Sequence, residues 1–231
     1  LSLNNHLPNL NDPKKLARYM AGLKRRVTMS EEQSIKFLQD LQERRPLGET
    51  QVKELVKQAQ QAKITLASHD DATQDEVRKS IQRQVRIAEF PMNAEIASRL
   101  RDNGCSVVMG ALNLVRGGSH VGGISVENAV KENLVDILCS DYHYPALFHA
   151  PFLLADKRLK TLEKAWAMVS SEPATAVGLG DRKGKIAIGY DADLFILNRL
   201  DGSPLSIDTV MTGGKLALER ANKKRLTTEA T

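Results

Sequence analysis

Between Ile64 and Asp141 the sequence repeats one kind of unit: a short apolar, β-prone run, a turn, and a charged helix-prone segment. The apolar runs are Ile64–His69, Val85–Phe90, Ser106–Ala111 and Val135–Ser140. Between them, the spacing predicts helices over Gln74–Gln84, Ala94–Arg101 and Glu127–Asn133. Pro91 stops the second run, Asn103-Gly104 is a helix-ending signal, and Thr73 with Glu76 makes a capping box. Units of this length predict parallel strands joined by crossover helices, with reactive groups at the C-terminal strand ends. Leu1–His6 alternates apolar and polar and reads as a fifth strand. Five strands are too few to close an eight-stranded barrel, so the expectation is either an open sheet or the second half of a barrel.

On either side of this series the texture differs. Three amphipathic helices are expected at Pro13–Arg26, Ser30–Arg45 and Glu49–Lys63, the second opening on the capping box of Ser30 and Gln33. Beyond Asp141, Leu159–Val177 reads as helical and is broken or restarted at Pro173. The tail reads as β: two short strands around Gly189-Tyr190-Asp191-Ala192-Asp193, then a hairpin over Val210–Leu218 on Gly213-Gly214. The expected organisation is a barrel portion over 1–180, a small β-sandwich segment over 181–222 and a frayed polar tail over 223–231.

Composition narrows the function. The chain has 231 residues, 42% of them hydrophobic, with no apolar run of membrane-spanning length. Its net charge of +5 suits an anionic substrate, but the basic residues alternate with acids along helix faces and only 4% of residues are aromatic. Nucleic acid and membrane are therefore not expected as partners. The two cysteines form no Cys-x-x-Cys pattern and read as buried thiols of a reducing, cytoplasmic compartment. The sequence opens on Leu1 rather than methionine, and the expectation is that part of the protein precedes it.

Three strand ends carry His6, His69 and Asp141. Two imidazoles and a carboxylate suit zinc or a similar divalent ion, and ligands from different strands need no compact spacing. Asp70, Asp71 and Glu89 are candidates for supporting partners or a further ligand. A competing reading makes the strand-end Ser, His and Asp residues ordinary helix caps and satisfied loop groups. The stretch Asn113–Gly123 holds four glycines with Arg116 and Ser119, equipment for gripping phosphate or phosphonate oxygens. Its bland alternative is a glycine-rich connection. It is not a P-loop, and no G-x-G-x-x-G occurs.

Ser68-His69-Asp70-Asp71-Ala72-Thr73, Glu89-Phe90-Pro91, Gly110–His120 with its Arg-Gly-Gly-Ser-His loop, and Leu138–Tyr142 come in an order that resembles the PhnM family. These are amidohydrolase-superfamily enzymes of the carbon–phosphorus lyase pathway. Gly184–Leu194 resembles the superfamily's usual ending. The resemblance implies the second half of a (β/α)8 barrel followed by part of a small β-sandwich, a divalent metal, zinc, and a phosphorylated ribose phosphonate as substrate. The implied reaction hydrolyses α-D-ribose 1-methylphosphonate 5-triphosphate to the 5-phosphate and diphosphate. By position, His6, His69 and Asp141 resemble metal ligands, with Asp141 also the catalytic proton acceptor. Asn113, Arg116, Gly117, Gly118, Ser119, His120 and Tyr142 fall to substrate binding. The family's histidine on barrel strand six is either replaced by Glu89 or absent, and the resemblance leaves room for a homodimer. The His-x-His pair of barrel strand one is absent, so the chain alone is expected to be incomplete and inactive. The alternatives are a deaminase or cyclic-amide hydrolase of the same superfamily, or an inactive homologue serving as a scaffold.

Overall fold

A computed structural model describes residues 1–4, 7, 10–117, 124–198 and 205–220. The chain divides into two compact units, Leu1–Val107 and Val108–Thr231.

In the first unit, α1 (Pro13–Lys24), α2 (Glu31–Glu43) and α3 (Arg45–Gln61) follow the short strand β1 (Ser2–Leu3). The Ser30 hydroxyl accepts from the Gln33 backbone N–H while the Gln33 side chain accepts from the Ser30 N–H, which fixes where α2 starts. Then come β2 (Ala67–His69), α4 (Gln74–Gln82), β3 (Ile87–Glu89), α5 (Ala94–Asp102) and β4 (Ser106–Gly110), along which the chain leaves the unit. Strands β1, β2 and β3 pair in parallel, and the register sets Ser68 beside Ala88 and His69 beside Glu89. Helices α4 and α5 bury Val77, Ile96, Ala97 and Leu100 with Ala88 of β3. Each crossover is therefore held by apolar contact on one side and solvated charge on the other.

In the second unit, β4 runs straight into α6 (Ala111–Arg116), followed by α7 (Val126–Lys131), β5 (Ile137–Cys139), α8 (Pro145–Asp156), α9 (Leu162–Ala167) and α10 (Ser171–Ala176). Strands β4 and β5 are parallel, with Gly110 level with Cys139. The antiparallel strands β6 (Leu194–Asn198), β7 (Ser206–Thr212) and β8 (Lys215–Glu219) form a three-stranded sheet in that order. Rings of Phe148, Phe152, Trp166 and Phe195 meet edge to face or tilted at 5.5–6.2 Å and tie α8, α9 and β6 together.

Several expectations need correcting. Asn113 and Arg116 lie in α6 rather than in a loop, because the apolar run of β4 continues without a break into helical spacing; the turn begins at Gly117, whose φ is 81°. Helix α8 has no counterpart in the sequence reading. It is apolar nearly all round and contains Pro151, so it shows no amphipathic stripe. Pro173, by contrast, restarts the helix as expected, falling in the first turn of α10. Residues 184–188 form no strand, and Ile186 and Ile188 are fully exposed. Of the two thiols, Cys105 is buried as expected, whereas Cys139, at the end of β5, is only half-buried.

The Gly-Tyr-Asp-Ala-Asp motif closes the tail onto the β7–β8 hairpin by hydrogen bonds rather than by a turn between strands. Lys183 Nζ binds Asp191 Oδ2 at 2.9 Å and also the Asp193 carboxylate. The other Asp193 oxygen accepts the Gly213 N–H at 2.7 Å. Lys183, and next the Gly213 N–H, hold the Asp193 carboxyl below its ordinary range. Gly184 (φ 87°) packs so tightly that a Cβ there would stand 2.7 Å from the Ser170 carbonyl oxygen and 2.8 Å from Ser171 Cα. Gly189 (φ 88°) has open space around the same position. Gly189→Ala is therefore expected to cost only the left-handed backbone strain, about 1 kcal/mol. Gly184→Ala adds a collision with backbone and is expected to cost about 3 kcal/mol or more. Urea unfolding of the two variants checks this ordering.

Candidate functional site

In the first unit the site is built by register. Because β2 and β3 run parallel with His69 opposite Glu89, the two side chains leave the same face at the same level. His69 Nδ1–H donates to Glu89 Oε2 at 2.9 Å, and the Ser2 hydroxyl donates to the same oxygen at 3.1 Å. A carboxylate on Nδ1 fixes the ring's tautomer and orientation. It turns Nε2 toward Asp70, whose Oδ2 lies 3.7 Å away. The Phe90 ring stands edge-on to the imidazole, centroids 5.2 Å apart and planes at 79°. The residues that follow the two strands, Asp70 (φ 58°) and Phe90 (φ 56°), both adopt the left-handed region. That conformation is costly for a bulky residue such as Phe90 and is typical of functional strand ends.

Asp71 points elsewhere. It is 7% exposed, and its carboxylate accepts the Ser80 hydroxyl of α4 at 3.1 Å. Its backbone carbonyl accepts from Met92 N–H. Burial pushes the Asp71 carboxyl above its ordinary 3.8, against the opposing pull of the Ser80 hydroxyl. Asp71 thus anchors α4 to the end of β2, a structural task.

The second unit brings together two of the residues expected to bind substrate. Arg116, in the last turn of α6, donates from its Nη1 to the Tyr142 phenol oxygen at 3.3 Å. Tyr142 is 64% exposed, as befits a group open to a ligand. Asp141 follows β5 in the left-handed region (φ 52°), its backbone carbonyl accepting the Ser140 hydroxyl, and it is exposed. His6, Gly118, Ser119 and His120 lie outside the described residues. The sequence reading missed the Ser2 contact and the Phe90–His69 packing, which depend on strand register rather than on any motif.

His69 Nε2 and Asp70 Oδ2 have the separation of two donors to one divalent cation, each about 2.0–2.2 Å from it. An imidazole seated by a carboxylate is also how zinc ligands are supported. Among the described residues no group of three His, Cys, Asp or Glu side chains is arranged to hold a metal ion. The described donors therefore fit part of a metal shell and not a whole one.

Residues 142–212 match the amidohydrolase family. Over 155 residues the chain is 44% identical to the alpha-D-ribose 1-methylphosphonate 5-triphosphate diphosphatase of Escherichia coli (strain K12), a match covering 66% of this chain and 40% of that protein. Among solved structures it resembles an amidohydrolase from Thermotoga maritima MSB8, with 18% identity, a TM-score of 0.57, and coverage of 95% of this chain and 62% of that one. It also resembles A. niger ochratoxinase, with 18% identity, a TM-score of 0.54, and coverage of 72% of this chain and 44% of that one. The parallel strands with crossover helices thus share the α/β barrel fold of these structures, and β6–β8 form a small β domain.

The resemblance to the amidohydrolase family thus lies in residues 142–212, and the solved structures share its fold. The chain is similar to the PhnM protein of E. coli and spans 40% of that protein's length.

The Asp71 environment has a pH signature. Its raised native pKa means the folded chain holds this proton more tightly than the unfolded chain, whose value is near 3.8. The contribution of Asp71 to stability is then fully present below 3.8 and is lost as pH rises through the higher native value. Asp71→Asn is expected to remove that slope. Unfolding free energies of both chains between about pH 3.5 and 7 check it: the wild type should lose stability relative to the variant as pH rises.

Proposed function

We propose that the chain contributes to a metal-dependent hydrolase of phosphonate catabolism, cleaving α-D-ribose 1-methylphosphonate 5-triphosphate to the 5-phosphate and diphosphate. The 44% identity over 155 residues to the E. coli diphosphatase carries this reading. It is supported by a guanidinium paired with an exposed phenol on α6 and at the end of β5, the donor chemistry an anionic phosphorus group requires.

The cation in this proposal is divalent, with zinc the preferred identity, and His6, His69 and Asp141 each serve as donors, with Asp70 beside His69. When bound, the cation supplies Lewis-acid stabilisation of charge on the phosphorus oxygens. Glu89 keeps His69 in one tautomer and one orientation, and Ser2 in turn steadies Glu89. Asp141 takes up the proton released as the attacking water adds to phosphorus. Arg116 bears charge that develops on the triphosphate oxygens, with Tyr142 limiting its swing, and Asn113, Gly117, Gly118, Ser119 and His120 complete the substrate contacts. Both cysteines are unbridged, which suits a reducing compartment, and a cytoplasmic enzyme is part of the proposal.

The test is diphosphate release from the ribose phosphonate triphosphate by the full-length protein in which this chain occurs. Arg116→Ala is expected to lower turnover about 100-fold, the usual effect of removing one donor to developing charge. Metal content, measured by atomic emission, should be unchanged. Loss of metal and turnover together would make α6 and its loop structural. Turnover of a cyclic amide or an aminopurine in place of the triphosphate would move the protein to another branch of the superfamily.

A further inference from the structure

Among the described residues other than glycine, seven have a positive φ, and Phe90 is the only apolar one of them. It is also the only one that a proline follows. A proline pushes the residue before it toward an extended backbone, and a bulky side chain disfavours a φ of 56° in its own right. Glycine would sit there without strain. The chain nevertheless holds Phe90 in place by backbone hydrogen bonds on both sides. Asp70 N–H donates to the Glu89 carbonyl and Met92 N–H donates to the Asp71 carbonyl, each at 2.9 Å. Pro91 is buried.

What an aromatic residue adds at this position is contact with His69. The two ring centroids are 5.2 Å apart and the planes stand at 79°, a favourable perpendicular pair. Glu89, one residue earlier, holds His69 Nδ1 at 2.9 Å. A single hydrogen bond at Nδ1 sets the tautomer and anchors one atom, but leaves an imidazole free to rock about that atom. A ring packed across it blocks the rocking. In an extended continuation of β3, successive side chains would point to opposite faces, so Phe90 would turn away from the histidine that Glu89 reaches. The left-handed φ reverses that alternation and brings both side chains onto one imidazole.

We propose that Phe90 is a positioning residue for His69: its strained backbone is kept because it lays an aromatic ring against the imidazole and fixes the plane in which Nε2 meets its ligand. The consequence for a bound cation rests on the metal reading proposed above, whereas the ordering of the ring does not.

The full-length protein in which this chain occurs, metal-free and carrying isotope-labelled histidine, gives the first test. Nuclear relaxation of the His69 Cδ2–Hδ2 pair is expected to report a ring as rigid as the backbone in the wild type and a mobile one in Phe90→Gly. Phe90→Tyr keeps an aromatic ring and should keep His69 rigid. The melting temperature of the glycine variant should hold, since release of the left-handed strain offsets the lost packing. Phe90→Asn, another residue at ease in that region, repeats the measurement if the glycine variant does not fold. In the zinc-loaded protein, chelator competition should show zinc held about tenfold or more weakly by Phe90→Gly, the usual effect of removing a group that orients a metal-bound histidine. A His69 ring equally rigid with and without the aromatic side chain overturns the inference whatever the metal does, as does a mobile ring in Phe90→Tyr. A mobile ring with unchanged zinc affinity overturns it as well, because the orientation then serves no donor. A wild type that holds no divalent metal, but whose His69 ring loses its rigidity in Phe90→Gly, leaves the positioning in place and sinks the metal reading instead.

Discussion

The hydrogen bond between His69 and Glu89 exists because two parallel strands end level with one another. Neither residue is near the other in sequence, and neither has a motif that names its partner; the β2–β3 register supplies the 2.9 Å contact. In a parallel sheet, evenly spaced hydrogen bonds fix that register along the whole strand. A one-residue slip would turn His69 to the opposite face and leave Glu89 without a cation or N–H to accept from. Burial of Ala88, Ile96 and Leu100 under α5 holds β3 where it is. The orientation of a catalytic-type imidazole thus rests on apolar packing several residues from it.

Backbone conformation reinforces this arrangement. Asp70, Phe90 and Asp141 each follow a strand end in the left-handed region, where a residue other than glycine is strained. Lys63, Gln84 and Asn133 do the same just past the ends of α3, α4 and α7. At the helix ends this is the ordinary way of turning a chain out of a helix, and it carries no functional message. At the strand ends, the strained residues lie next to His69 and Glu89 or are themselves the proposed donors. Capping boxes and buried helix faces oblige the backbone to stay there.

Much of this architecture was legible in the sequence, and the illegible parts share causes. The βα alternation, the capping boxes at Ser30 and Thr73, and the Gly213-Gly214 hairpin are local signals, and each produces the element it predicts. Helix α8 was invisible because an apolar helix containing proline has no period to detect. Helix α6 has no sequence signal of its own because β4 runs into it without a polar break, so the spacing around Arg116 predicts a loop. His69, Asp70 and Arg116 stand out as candidates by type and position, but pairings such as Ser2 with Glu89 do not. Those pairings follow from tertiary register, which amino-acid spacing does not encode.

The carboxylates make the same point from the side of chemistry, since their tasks are set by surroundings. Asp71 sits two residues from His69, but burial and the Ser80 hydroxyl commit it to holding α4. Asp191 and Asp193 occupy the most recognisable motif of the tail, and Lys183 with the Gly213 N–H commits them to closing a hairpin. Glu127 pairs with Lys157 and Lys131, which hold its carboxyl down to about 2. Glu127, Asp191 and Asp193 have their charge met by a lysine or a backbone N–H, whereas Asp71 is buried where the charged form is disfavoured. Glu89 differs in that its hydrogen bond is made to an imidazole, whose other nitrogen faces Asp70. At the end of β2 a carboxylate thus orients an imidazole, whereas in the tail the carboxylates hold backbone and lysine.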